Sequence, residues 1–189
     1  MPSAPGRLLA LPAMRRTALL LVGVLALVFG TTACGGGGDK SFDADGIGVT
    51  FKYPPDFKPI KNISFGQSAG ADAAARGGVS VDAVNAIIVS RYDLKVAIDK
   101  DNLAKFKHEV DDVIGKLAGK PVSGREVEYG GFPGYEYTIS LAKPANGQSR
   151  LVVLFDQTTE YLVNCQSTPA KRDQVEGSCR KALDTLERK

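Results

Sequence analysis

The sequence is poor in the side chains that most often carry chemistry. It has no tryptophan, one histidine and three cysteines among 189 residues. A Ser-His-Asp relay would have to use His108, which has no recognisable catalytic partner and sits near the charged face of a helical stretch, so a surface histidine is expected. Neither the H-E-x-x-H motif of zinc proteases nor a phosphate-binding P-loop occurs. Asp111 and Asp112 hold adjacent helix positions and diverge, so they do not form the facing pair that glycoside hydrolysis needs. Two cysteines, Cys165 and Cys179, with His108 far upstream, do not make a structural zinc spacing. The expectation is a protein without metal or cofactor that binds rather than catalyses.

An excess of charge is also missing. Three of the 24 basic residues, Arg7, Arg15 and Arg16, precede Cys34, whereas none of the 21 acidic residues does, so the part from Cys34 onward is formally neutral. That removes the general electrostatic argument for nucleic acid, which needs a basic excess or stripe.

What is present begins with an export signal. Arg15 and Arg16 make a positive head, Thr17 to Phe29 run almost without a polar atom, and small residues follow from Gly30. As a helix the run reaches roughly 20 Å, short of the ~30 Å hydrocarbon core. Met14 is the better start for such a signal than Met1, because it places Met-Arg-Arg directly before the apolar run. Thr31-Thr32-Ala33-Cys34 resembles a bacterial lipobox, with Thr31 where that pattern prefers leucine. The resemblance implies a diacylglyceryl group on Cys34, cleavage before it and an acylated new N-terminus, which would hold the protein at the extracytoplasmic face of the bacterial cell membrane. The alternative is a secreted protein cut near Ala33 with a free, reactive thiol. Residues 1–33 are thus read as signal, 34–41 as lipidated cysteine and glycine-rich tether, and 42–189 as one domain.

With Cys34 assigned to the anchor, Cys165 and Cys179 form an even pair in an exported chain. A disulfide is favoured over two buried thiols; closing a loop of about 15 residues is worth ~3 kcal/mol in the chain-entropy model.

The domain opens with a half-buried strand, Val49, Phe51 and Tyr53 alternating with polar neighbours, stopped by Pro54-Pro55. A second strand is expected within Phe57–Phe65, a mobile loop over Gly66–Gly78, and a strand over Val79–Arg91. Leu103, Phe106, Val110, Val113, Ile114 and Leu117 then mark one stripe of a helix, with Asp99 or Asp101 to cap it and Gly119 and Pro121 to end it. Four strands follow: Arg125–Tyr129, a turn at Gly130-Gly131, an alternating run through Tyr135–Leu141, an Asn146-Gly147 hairpin into Arg150–Asp156, and a reversal near Gln157-Thr158 into Glu160–Cys165. Thr168-Pro169 opens a last helix whose buried stripe is Val175, Cys179, Ala182, Leu183 and Leu186.

Three stretches in this order carry a resemblance: I-G-V-T-F-K-Y-P-P-D-F at Ile47–Phe57, E-Y-G-G-F-P-G-Y-E-Y at Glu128–Tyr137, and Y-L-V-N-C-Q-S-T-P at Tyr161–Pro169 before a helix with Cys179. Together with the lipobox they resemble the PsbP-like lipoproteins of actinobacteria, the Lpq type related to LpqN, over most of residues 42–187. The resemblance implies an α+β fold, an antiparallel sheet flanked by helices as an α/β/α sandwich, and no catalytic residues. It implies a non-enzymatic partner-binding or scaffold role in the cell envelope, with an envelope protein as partner and cell-wall lipid transport machinery as one such partner. Tyr53, Phe57 and Phe65, beside the Gly66–Gly78 loop, are the candidate contact surface, the alternative being that these aromatics are core, which is favoured for Tyr53. A carrier of a small apolar molecule or lipid is the alternative, with a cavity lined by Phe106, Val110, Ile139 and Leu154 between sheet and helix.

Overall fold

The computed structural model describes residues 38–60, 73–141 and 146–189. Cys34, the apolar run Thr17–Phe29, Phe65 and the first part of the Gly66–Gly78 stretch lie outside them. The stretch Gly37–Lys189 forms one compact unit.

Its elements are β1 (Lys40–Phe42), β2 (Val49–Tyr53), β3 (Lys58–Pro59), β4 (Ala75–Ser80), β5 (Ala86–Ile98), α1 (Leu103–Ala118), β6 (Arg125–Tyr129), β7 (Phe132–Ser140), β8 (Gln148–Ser167), α2 (Arg172–Asp184) and β9 (Glu187–Arg188). A central antiparallel sheet has the order β3-β4-β5-β8-β7-β6, and β1-β2-β9 make a second, smaller sheet. Helix α1 covers one face of the central sheet, over a core of Ile98, Leu103, Ile114, Tyr135, Tyr137, Ile139, Leu151, Val153 and Phe155. Helix α2 and the small sheet cover the other face: Phe42, Val49, Phe51 and Tyr53 meet Ile87, Val89, Val152, Leu154 and Val163, with Val175, Ala182 and Leu183 from the helix. This is the α+β arrangement with helices on both faces of an antiparallel sheet. Among the described residues both cores draw only on positions 42–186, so a chain of residues 38–189 holds what it needs to fold alone.

Local chemistry explains the boundaries. Before α1 the Asp99 carboxylate accepts the backbone N–H groups of Asp101 (3.0 Å) and Asn102 (3.2 Å), while Asn102 Oδ1 accepts that of Asp99 (3.0 Å). Gly119 ends the helix at φ +68°, donating its N–H back to Lys116. Gly130 and Gly131, at φ +60° and +79°, make the two-residue turn that sets Tyr129 opposite Phe132.

Several elements differ from the sequence expectation. Lys40 and Ser41, read as tether, belong to β1 and pair with Tyr53 and Lys52, and residues 75–78, read as the end of a mobile loop, pair with β5 as the start of β4. The run Val79–Arg91 is not one strand. It breaks at residues 81–85, where the Asp82 carboxylate takes the backbone N–H groups of Val84 (2.9 Å) and Asn85 (2.8 Å) and folds the chain into a hairpin. The buried Asn85 amide returns two bonds to Asp82, and its oxygen accepts from the Thr168 N–H (2.7 Å) and hydroxyl. That ties the hairpin to the start of the last helix. The expected reversal near Gln157 is also absent. β8 runs straight through, pairing with β7 in its first half and β5 in its second.

Cys165 on β8 and Cys179 on α2 are joined by a disulfide, with Cα atoms 6.0 Å apart. Both are buried on the α2 side. Replacing both by alanine is expected to lower the unfolding free energy by about 3 kcal/mol or more, because loop entropy and packing are lost together. Urea denaturation of the oxidised and double-substituted chains of residues 38–189 measures this directly.

Candidate functional site

The site follows from an irregularity in the central sheet. β5 and β8 pair in step from Ala86 opposite Gln166 to Asp93 opposite Thr159, and the next pair is Ile98 opposite Gln157. The intervening Leu94–Ala97 on β5 have no ladder partner on β8, which is an extended bulge. On β8 the irregularity is at Gln157, whose φ is +56°. Before it Leu151, Val153 and Phe155 face α1; after it Tyr161, Val163 and Cys165 face α2 and Leu162 faces α1. The strand has changed the parity of its buried face.

Between the bulge and α1 lies a half-open groove of about 370 Å³. Its walls are Leu94, Val96 and Ile98 of β5 and Phe106, Val110, Val113 and Leu117 of α1, and its floor is Val153, Phe155 and Leu162. Val96 and Val113 are each 51% exposed. They are the two large apolar side chains left open to solvent among the described residues, and both line this groove. Tyr92, Asp93 and Lys95 of β5 and Glu109 of α1 also line it, together with the carboxyl of Glu160 on β8. Burial alone pushes its pKa up to about 7.

Helix α1 is held over the sheet by polar contacts at its edge. Tyr135 donates its hydroxyl to the Leu103 carbonyl (3.1 Å), and Tyr137 donates to Asp111 (2.8 Å). Asp111 also accepts from the Gly124 N–H (2.9 Å) and Lys107 (2.7 Å). Burial works to raise the Asp111 carboxyl, but these donors together hold it below the usual carboxylate range. On the opposite face Glu136 accepts from Arg150 (2.7 Å), Tyr129 (3.0 Å) and Arg125 (3.2 Å), while the buried Arg150 Nε has no partner among the described residues.

The sequence-derived sites fare differently. Tyr53 and Phe57 are core residues, 3% and 0% exposed, and cannot form a contact surface. Tyr53 alternates inward with Val49 and Phe51 on β2, and its ring meets Phe51 edge-on at 6.5 Å. Phe65 and Cys34 lie outside the described residues. Of the four expected cavity residues, Phe106 and Val110 line the groove, Ile139 belongs to the packed core of the α1 face, and Leu154 points to the α2 face. His108 stands at the surface, its side chain 87% exposed and 3.7 Å from Asp112. Among the described residues no group of three His, Cys, Asp or Glu side chains is placed to hold a metal ion, and no helix is long and apolar enough to cross a membrane.

Sequence reasoning passed over the groove residues Leu94, Val96 and Glu160. The alternation Leu94, Val96, Ile98 was the available signal, but it follows a charged Asp93 and ends in the helix start. It also passed over three short serine patterns: G-Q-S-A-G at Gly66–Gly70, Ser140 to Lys143, and Ser178 to Lys181. The first two fall wholly or partly outside the described residues. Ser178 is buried in α2 and donates to the Gln174 carbonyl (2.8 Å), which is a structural role. Such patterns carry weight only in their structural context.

Glu160 gives a stability prediction. Its folded pKa stands above the ordinary 4.5, so the folded chain holds a proton that the unfolded chain releases between about pH 4.5 and 7. Stability from this group is therefore full below that window and falls as pH rises through it. Glu160→Gln removes the loss, and is expected to stabilise the protein near pH 8 by on the order of 2 kcal/mol, with the difference shrinking toward pH 5. Thermal or urea unfolding of both chains across that range reads the crossover.

No family model matches the sequence, and no curated protein is similar to it. Solved structures are. A solution structure of cyanobacterial PsbP (CyanoP) from Synechocystis sp. PCC 6803 superposes with a TM-score of 0.53 at 11% identity, over 84% of this chain and 99% of that one. A crystal structure from Bacteroides thetaiotaomicron gives 0.52 at 13% identity over 79% of this chain, which spans about half (48%) of that protein. A crystal structure of LpqN, described as involved in cell envelope biogenesis of Mycobacterium tuberculosis, gives 0.47 at 13% identity, over 79% of this chain and 90% of that one. The fold of residues 38–189 is PsbP-like.

Proposed function

We propose that this chain is a non-enzymatic envelope lipoprotein, held by a lipid on Cys34 at the extracytoplasmic face of the membrane, and that its folded unit binds a small molecule with an apolar body in the groove between α1 and the central sheet. The carrying observation is the groove itself. At about 370 Å³ it falls within the ~300–1,000 Å³ of small-molecule sites. Its walls are apolar, and Val96 and Val113 remain solvent-exposed at this place. A protein-contact role for the same face rests on those two valines alone and uses neither the depth of the groove nor its carboxyl. The anchor is supported by the sequence around Cys34.

Val113→Glu tests the groove. Val113 is half in solvent, so the change is expected to alter stability by no more than about 0.5 kcal/mol. A charge on the groove wall is expected to weaken binding of a hydrophobic fluorescent probe, such as N-phenylnaphthylamine, at least about tenfold, the effect of roughly 1.4 kcal/mol. Fluorescence titration of residues 38–189 measures it; equal affinity in both chains would place the probe elsewhere and sink the groove reading.

A further inference from the structure

The charge of the groove narrows its ligand. Glu160 sits on β8, an interior strand of the central sheet, with Tyr92 of β5 as its register partner. Among the described residues it makes no hydrogen bond or ion pair with a side chain. Around it the lining contributes Glu109 from α1 and Tyr92, Asp93 and Lys95 from β5, and no other titratable group from β8. Asp93 pairs with Arg91 at 2.8 Å. The lining thus carries three acids against one lysine, and the acid among its apolar groups has no partner of its own. An unpaired carboxyl in apolar surroundings is costly to ionise, and a cation delivered by a ligand is what relieves that cost.

Resting on the groove reading, we propose that the ligand is a cationic amphiphile, a single apolar chain ending in a protonated amine, whose nitrogen pairs with the Glu160 carboxylate while the chain lies along Phe106, Val110, Val113 and Leu94. One chain suits the groove, because about 370 Å³ is near the small end of ligand sites. The pair also makes binding depend on pH. An alkyl ammonium keeps its proton to about pH 10, so Glu160 is the group that switches. Because its pKa is raised to about 7 in the empty groove, binding below that pH must release its proton. Affinity for the amine is full above about pH 7 and falls as pH drops through it. The other titratable groups of the lining are Tyr92, Asp93, Lys95 and Glu109, of which Asp93 is held by Arg91 and Glu109 is exposed on α1.

The test compares decylamine, decanol and decanoate by isothermal titration against residues 38–189, and against Glu160→Gln, at about pH 8 and about pH 5. The expected result is that decylamine binds the unsubstituted chain at least about tenfold tighter than decanol at the higher pH. That preference should vanish at the lower pH and in Glu160→Gln, while decanol binding to the substituted chain persists and shows its groove intact. Equal affinity for amine and alcohol at the higher pH would overturn the cationic ligand and leave the apolar groove standing. Tightest binding of decanoate would overturn it in favour of an anion. Failure of all three, with the chain folded by circular dichroism, would overturn the groove reading together with the inference built on it.

Discussion

The structure depends on one strand changing sides. β8 runs twenty residues through the middle of the central sheet, its first half bonded to β7 and its second to β5. A strand of constant period would send all its odd residues to one face. At Gln157 the backbone takes a left-handed step, and parity inverts. Leu151, Val153 and Phe155 therefore build the floor under α1, and Tyr161, Val163 and Cys165 build the base under α2. Without the step Cys165 would face away from Cys179, and Glu160 would lie in the core of the α2 face instead of in the groove. The bulge on β5 is the matching half of the same irregularity.

This explains which parts of the fold were legible. The α1 stripe, the Gly119 cap and the Gly130-Gly131 turn are local, and each follows from a few neighbouring residues. The Cys165–Cys179 bond was legible because, with Cys34 set apart, these two cysteines are an even pair. The continuity of β8 was not: R-L-V-V-L-F-D, then Q-T-T, then E-Y-L-V-N-C reads as strand, turn, strand, and only pairing with distant β5 and β7 keeps it one strand. The Asp82 turn was hidden in the opposite way. Val81, Ala83 and Val84 look like a continuing apolar run, and a single carboxylate bonded to two backbone N–H groups overrides them.

The site was less legible than the fold. Aromatic residues near a glycine-rich loop suggested a surface, but Tyr53 and Phe57 have the inward half of a two-residue period and a fully enclosed pocket, respectively. Of the residues the apolar-carrier alternative named, Phe106 and Val110 line the groove and Ile139 and Leu154 do not. Ile139 lies a strand too far into the packed core, and Leu154 belongs to the even-numbered residues of the first half of β8, which face α2. Glu160 carried no signal at all in one dimension, since a glutamate beside threonines reads as solvent-facing.

The two faces of the central sheet are secured by different means. α2 is tied by a disulfide and, at its approach, by the buried Asn85 network. Among the described residues α1 is held without a covalent link, by the hydroxyls of Tyr135 and Tyr137, the Asp111 contacts, Lys107 over the Tyr135 ring, Asn102 on the Ala97 carbonyl and its apolar stripe. Local opening therefore has a lower free energy on the α1 side, where no covalent link must be carried along. Amide hydrogen exchange is expected to be faster on the α1 side, the one that roofs the groove. A brief lifting of α1 would open the groove while the disulfide-tied side stays closed.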